Sequence, residues 1–201
     1  MHPSVLLVER LASLINQLLR QDAASHDLLP IQWQALAYLA AANQYSNIPT
    51  AVAEYFGTTR GTVSQTLAVL ERKGLIRKEA DPTHGKRIHL VLTDAGQRIM
   101  TAGWSTRLEA ALASSAAEDG TLECLLRSLL SSLQHLNDNH AFGVCRQCFH
   151  FLRRTDSAHC RLTGEDLLEE QTVKLCREWK KPLPTAQRQP APSGGSLDRG
   201  R

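Results

Sequence analysis

Four of the five cysteines fall in one 32-residue window, as Cys145-x2-Cys148-x11-Cys160-x15-Cys176. Thiolates so placed can do four kinds of chemistry: a catalytic or redox pair, a disulfide, a structural zinc site or an iron–sulfur cluster. Two intervening residues let Cys145 and Cys148 converge from one turn, with backbone N–H groups available to the sulfurs. The segment around them, residues 141–180, is about forty residues long. That is too few to fold firmly on apolar burial alone, so a staple is expected.

The spacing narrows the choice. Structural zinc sites usually come as two close ligand pairs, whereas Cys160 and Cys176 are solitary. The ferredoxin run Cys-x2-Cys-x2-Cys is absent, and a thioredoxin-like pair needs a βαβ setting that this segment lacks. The layout resembles small cluster-binding modules with one close pair, two distant cysteines and aromatics beside them. Here Phe142, Phe149, Phe151 and Trp179 are the candidates to keep water out. The expectation is four thiolates, Cys145, Cys148, Cys160 and Cys176, on an iron–sulfur cluster of the 4Fe-4S type, with zinc (Zn2+) as the alternative. His140, His150 and His159 are expected at the surface or as supporting residues. Cys124 stands apart on an apolar-periodic stretch and is expected to be an ordinary buried cysteine. "TGEDLLEEQTVKLCREW" reads as one capped helix, with Thr163 and Asp166 at capping-box spacing. Its face of Leu168, Thr172, Leu175, Cys176 and Trp179 would aim Cys176 inward.

No carboxylate pair, Ser-His-Asp arrangement or phosphate-cradling glycine loop accompanies the cysteines, so the chain does not read as an enzyme. Its net charge of +3 is mild, and 42% hydrophobic residues suffice for a core. The N-terminal apolar stretch is interrupted by Glu9 and Arg10 and does not read as a secretory signal. The longest uncharged run, Leu28 to Ala53, holds Pro30, Gln32, Gln34, Asn43, Gln44, Asn47 and Pro49, too many polar and helix-breaking residues for lipid. A cytoplasmic, reducing setting follows, and it disfavours a disulfide framework.

The elements that must carry these residues are mostly helical. Val5, Val8, Leu11, Leu14, Ile15, Leu18 and Leu19 recur at helical spacing. Pro30 opens a second helix with Trp33, Leu36 and Leu39 on one face. A short third helix over about Thr50 to Phe56 stops at Gly57. Thr59 then caps a fourth, running to about Lys73, with Val63, Leu67 and Leu70 inward. The period changes to two in "GLIRKEA" and "RIHLVL", which flank the turn signal "DPTHG". Two more helices follow Thr93: one marked by Ile99, Met100, Trp104, Leu108 and Leu112, the other by Leu122, Leu126, Leu129, Leu133 and Leu136. The stretch from Lys181 is rich in Pro, Gly, Ser and Gln and reads as a disordered tail.

A helix, a tight turn, a second helix and a basic hairpin is the order of a winged helix-turn-helix. The outward face of the fourth helix presents Thr59, Arg60, Thr62, Ser64 and Gln65 near its N-terminus, within reach of base edges and phosphates. From Gly57 to His89, seven basic residues face three acidic ones. The stretch "FGTTRGTVSQTLAVLERKGLIRKEADPTHGKRIHLVLTDAG" resembles the recognition helix and wing of the MarR family of bacterial regulators. The resemblance rests on Gly57 to Ser64, Leu70 to Ile76 and Leu92 to Gly96. It implies a homodimer paired through N- and C-terminal helices, reading a pseudo-palindromic operator in double-stranded DNA. The family's Asp-x-Arg wing tip falls here on His84, Gly85 and Lys86, without the acid. Lys86 and Arg87 are the wing residues expected at the minor groove or phosphates.

The fold expected is mainly α with a small β-hairpin wing (α+β). It comprises a MarR-like winged-helix and dimerisation domain over 1–140, a four-cysteine module over 141–180 and a tail over 181–201. The function expected is a dimeric DNA-binding transcriptional regulator whose cysteine module senses redox or cluster status. One alternative is a small-molecule-responsive regulator with a purely structural zinc. Another is a thiol or electron-transfer protein using the winged helix for protein contacts.

Overall fold

The computed structural model describes residues 2–81, 87–101, 103–114, 120–136, 141–155 and 157–182. Three prolines start the first three helices: α1 at Pro3–Ser25, α2 at Pro30–Ala41 and α3 at Pro49–Phe56. Proline suits a first helical turn, where its missing N–H would be unpaired anyway. At α2 the Gln32 side chain reaches back to the Leu29 N–H at 3.0 Å. Gly57, left-handed at φ 59°, closes α3, and Thr59 caps α4 (Arg60–Arg72) by accepting from Thr62 N–H at 3.2 Å. Val63, Leu67 and Leu70 are all buried on α4.

The hairpin follows as β1 (Ile76–Ala80) and β2 (Ile88–Leu92), antiparallel with Ile76 opposite Leu92 and Ala80 opposite Ile88. Its turn, including His84, Gly85 and Lys86, lies outside the described residues. Beyond Thr93, whose hydroxyl bonds the Gly74 carbonyl and accepts the Gly96 N–H, the chain forms α5 (Asp94–Thr101). A β-carbon on Gly96 would lie 2.2 Å from the Leu75 carbonyl oxygen, so only glycine lets α5 sit against the strand's entry.

Where one helix was expected over residues 99–112, the chain turns at Gly103 and starts α6 (Trp104–Ala113). Asp22 of α1 accepts the Trp104 N–H at 2.6 Å and pairs with Arg107 at 2.6 Å, capping the new helix from a distant element. α7 (Thr121–Leu136) has no residue buried within the chain. Cys124, expected to be buried, is exposed there for the same reason. Leu125, Leu126, Leu129 and Leu130 of α7, and Val5, Leu7 and Leu11 of α1, form uncovered apolar faces. α2 is central, with Trp33, Ala35, Leu36, Tyr38 and Leu39 all buried.

The module is built of short strands: β3 (Gly143–Val144), β4 (Phe151–Arg153), β5 (Ala158–Cys160), β6 (Glu165–Leu167), the single-turn α8 (Glu169–Thr172) and β7 (Leu175–Cys176). The helix expected over residues 163–179 is therefore replaced by strand, turn and strand. Gly164, at φ 76°, breaks any helical path, and the backbone on either side finds better partners. β6 pairs with β5, and β7 pairs with β3. Residues 183–201 of the expected tail lie outside the described residues.

Candidate functional site

On α4 Arg60, Thr62, Ser64 and Gln65 are exposed, as the spacing predicts, and so are Ala68, Glu71 and Arg72 further along. Thr59 is exposed too, but its hydroxyl is engaged in capping and lies 3.0 Å from the Thr62 hydroxyl. These two threonines set the helix start and so aim Arg60, Ser64 and Gln65 outward. Lys86 lies outside the described residues. Arg87, immediately before β2, is exposed, with its Nη1 3.9 Å from Asp81 Oδ2. Sequence reasoning missed this acid because it looked for one at position 84. Asp81 sits instead just past β1, beside the turn; it is buried and also meets His89 Nε2 at 3.2 Å. The other ring nitrogen, Nδ1, bonds Asn47 Oδ1 at 2.6 Å. Three other cations near the helix are locally paired: Lys78 with Glu71, Arg77 with Glu79 and Lys73 with Asp27.

The four module cysteines line one narrow cavity with about 20 Å³ of free space, together with Tyr45, His150, Phe151 and Leu167. A short 3-10 turn over Cys145–Gln147 brings the close pair together, with Cys148 N–H on the Cys145 carbonyl at 3.0 Å. Cys160 ends β5, and Cys176 ends β7 opposite Gly143. The Cys148 sulfur accepts two backbone N–H groups, from His150 and Lys180, each at 3.4 Å. Such donors favour a thiolate and tune a metal bound to it. Trp179 packs flat over Gly143, where a β-carbon would fall 2.6 Å from the indole, and its Nε1 donates to the Gln147 carbonyl at 3.0 Å.

Burial pushes the Cys145 thiol up to about 12, with the neighbouring Cys176, Cys160 and Cys148 adding to the rise. Cys176 is also raised by burial, while the Asn43 side chain and the Glu178 backbone N–H oppose the shift. Neutral thiols are the resting form at neutral pH, and a cation would have to displace their protons. His150 lines the cavity with Nε2 buried and unpartnered, and burial lowers its pKa. His159 bonds Asp166 at 3.0 Å, and His140 lies outside the described residues. Among the described residues no three His, Cys, Asp or Glu side chains are gathered as ligands to a single metal ion.

The aromatics divide. Phe151 lines the cavity and Trp179 packs in the cysteine cluster. Phe149 is exposed, under the Arg161 guanidinium. Phe142, expected to shield a cluster, belongs instead to the winged-helix core, edge-on to Tyr38 and Tyr55. It anchors the module to the domain.

That anchoring is extensive, and sequence reasoning missed it. The turn after α2 receives the module: Asn43 N–H bonds the Leu175 carbonyl at 2.9 Å, and Gln44 N–H bonds Gln171 at 3.0 Å. Arg177 N–H donates to Ser46 Oγ at 2.9 Å, and its guanidinium pairs with Glu54 of α3 at 2.9 Å. On the other side Gln147 donates to Glu123 of α7 at 2.7 Å. A cavity of about 460 Å³ opens between α2, β2, α5 and the module. No described helix is long and apolar enough to cross a membrane.

A sequence model of the MarR family matches residues 26–87. Three solved structures of MepR from Staphylococcus aureus are similar. One mutant is 30% identical with a TM-score of 0.50, covering 67% of this chain and 100% of that chain. A mutant from a multidrug-resistant clinical isolate is 28% identical with a TM-score of 0.56, over 66% of this chain and 99% of that one. The MepR–DNA complex is 29% identical with a TM-score of 0.50, over 66% and 98%. No curated protein sequence matches the chain.

Proposed function

The chain belongs to the MarR family of transcription regulators, and we propose that it binds a pseudo-palindromic DNA operator as a homodimer and carries an iron–sulfur cluster in its four-cysteine module. It is a DNA-binding transcriptional regulator and not an enzyme. A DNA target puts it with the chromosome, in the cytoplasm.

The DNA reading rests on α4. Arg60, Ser64 and Gln65 point outward from a helix whose N-terminus is fixed by Thr59 and Thr62. An exposed helix start of this kind serves both phosphate and base edge, while Arg87, with Lys86 beside it in sequence, extends the contact at the wing. The MepR–DNA complex among the similar structures supports the same use of the fold. The uncovered apolar faces of α1 and α7 are the surfaces a second copy would bury.

The observation that carries the cofactor reading is that Cys145, Cys148, Cys160 and Cys176, spread over 32 residues, line a single cavity. Apolar walls and two N–H donors on Cys148 suit a four-thiolate cluster. A 4Fe-4S cluster held there would supply an electron-accepting, oxygen-sensitive group. Tyr45, Phe151 and Leu167 would limit its contact with water. Zinc is the second reading: the small free volume of the cavity favours a single ion, while the cysteines are not gathered as ligands to one. Under it, the larger cavity between α2, β2, α5 and the module is the site for a small-molecule effector, its size being within the range of ligand pockets.

Anaerobic purification followed by metal and sulfide analysis and a visible spectrum decides between them. Brown protein with about four iron and four sulfide per chain supports the cluster. Colourless protein with zinc replaces it with the structural-metal reading, and metal-free protein removes both.

A further inference from the structure

Glu54 lies in the last turn of α3, where the aligned peptide dipoles leave partial negative charge and a cation, not an acid, is favoured. That turn has no basic residue of its own. The cation comes from the module: Arg177 Nη2 donates to Glu54 Oε1 at 2.9 Å, with the two side chains only 21% and 30% exposed. Glu54 Oε2 is buried without a hydrogen-bond partner, so the arginine is what offsets the burial of this carboxylate.

Arg177 is itself held. Its backbone N–H donates at 2.9 Å to Oγ of Ser46, a fully buried residue, and the Ser46 carbonyl accepts the Tyr38 hydroxyl at 2.8 Å. One residue beyond Glu54, Tyr55 meets a second module residue. Phe142, buried, stands edge-on to its ring at 5.2 Å. The module thus grips the C-terminal end of α3 at two adjacent residues. Only Phe56, Gly57, Thr58 and Thr59 separate that end from Arg60 and the outward face of α4. Gly57 sits in a left-handed turn and Thr59 is the cap of α4, so a shift at the end of α3 is passed to the start of α4.

We propose that Arg177 is a positioning residue for DNA binding: through Glu54 it fixes the end of α3, and with it the start of the recognition helix, which makes the cysteine module a part of the DNA-binding unit. The role rests on α4 as the DNA-reading helix and holds whatever metal the cysteines carry. Arg177 acts without touching DNA, because the first helix of a helix-turn-helix braces the second against the backbone. Without the guanidinium, Glu54 is an uncompensated acid at the negative end of α3. The carboxylate then gains by turning toward water, and the helix end is free to follow.

The test uses the full chain and a duplex selected from a random pool by the wild-type protein. Arg177→Met should weaken binding about 2- to 30-fold, the range for side chains that act on a site through packed elements. Glu54→Met should cost about as much, and the double variant no more than either alone, because the same pair is lost in all three. Arg177→Lys, which keeps the charge, should restore most of the affinity. The dependence of affinity on salt should keep its wild-type slope, since no phosphate contact is removed. Stoichiometric titration keeps misfolding apart: unfolded molecules lower the active fraction, whereas a displaced α3 weakens a full complement of active ones. The double variant leaves no charge unpaired, so it is the one to read should Arg177→Met fail to fold. Wild-type affinity in the folded double variant would overturn the proposal. A salt slope reduced by about one in Arg177→Met would overturn it too, by putting the guanidinium on a phosphate. A wild type that binds no duplex overturns the DNA reading itself, a result distinct from tight wild-type binding with indifferent variants.

Discussion

Asp81 and Arg87 face each other at the turn end of the wing hairpin, just beyond β1 and just before β2. The Asp81 N–H donates to the Arg87 carbonyl at 2.9 Å, and the Arg87 Nη1 lies 3.9 Å from the Asp81 carboxylate. The acid missing at position 84 is supplied by Asp81, the residue that follows β1. It also engages His89, which Asn47 holds from the other side. Asp81→Asn should leave the fold intact and weaken DNA binding about 3- to 10-fold, by loosening an arginine held for the minor groove or phosphates. Arg87→Ala should lower affinity similarly for all sequences and reduce the salt slope by about one. Titrations at several salt concentrations separate the two, because Asp81→Asn leaves the slope unchanged.

Gln65 and Arg60 should behave differently on α4. Gln65 is exposed one turn inside the helix, where a side-chain amide can pair with an adenine edge. Gln65→Ala is expected to cost about 1–3 kcal/mol on the preferred duplex and to relax selectivity at one position per half-site. On the proposed DNA reading, Arg60 at the helix start meets phosphate, so Arg60→Ala should weaken all duplexes alike. Binding to a library of single-position operator variants distinguishes the two. Uniform loss in both variants would remove Gln65 from base readout.

How much of this was legible in the sequence depends on the range of the interactions. Caps, prolines and period placed α1 to α4 and the hairpin, because Pro30, Gly57, Thr59 and the Val63–Leu67–Leu70 stripe act within a few residues. The cysteine spacing likewise pointed to one site, and the structure gathers those four side chains around one cavity. The helix assigned to residues 163–179 was an error of the same local logic. Leu168, Thr172, Leu175 and Trp179 keep helical spacing, but β3 and β5 take up the flanking backbone. The break at Gly103 depends on Asp22, more than eighty residues earlier. The contacts of Asn43 and Ser46 with residues 175–177 span over 130 positions and leave no periodic trace.

The uncovered apolar faces make the dimer testable. Leu125 and Leu129 are exposed on α7, and a second copy that buries them would remove each from water at about 1.5–3 kcal/mol per side chain. Leu125→Glu with Leu129→Glu should give monomers in sedimentation and abolish tight binding to a two-half-site duplex. Far-UV circular dichroism should still show folded protein, because α7 contributes no buried residue to the chain's own core. Persistence of the dimer would move the interface to α1 alone.

On the proposed four-thiolate reading, Gly143 tests the module's packing apart from the four cysteines. A β-carbon there would sit 2.6 Å from the Trp179 indole, so Gly143→Ala must displace the ring or part β3 from β7. Overpacking of this kind typically costs about 1–3 kcal/mol. The expected result is faster metal loss to a chelator, while α4 and the hairpin keep their fold. Metal retention equal to wild type would mean that Trp179 does not brace the site.

Cysteine chemistry fixes the direction of the pH dependence. Under the proposed four-thiolate reading each cysteine must lose a proton to bind metal, so metal retention should fall as pH falls, most steeply under chelator between about pH 7 and pH 5. The metal-free protein has the opposite sign. Cys145, raised from 9.0 to about 12 by burial, favours the folded state while it stays neutral. That contribution is complete below about pH 9 and is lost as pH rises toward 12. Cys145→Ser removes the thiol from this range and should flatten the alkaline loss of thermal stability in chelated protein, while abolishing metal retention at neutral pH. An alkaline profile unchanged by Cys145→Ser would assign the loss to other groups. Tyr45, itself raised to about 12 chiefly by burial, would then be the first to examine, through Tyr45→Phe.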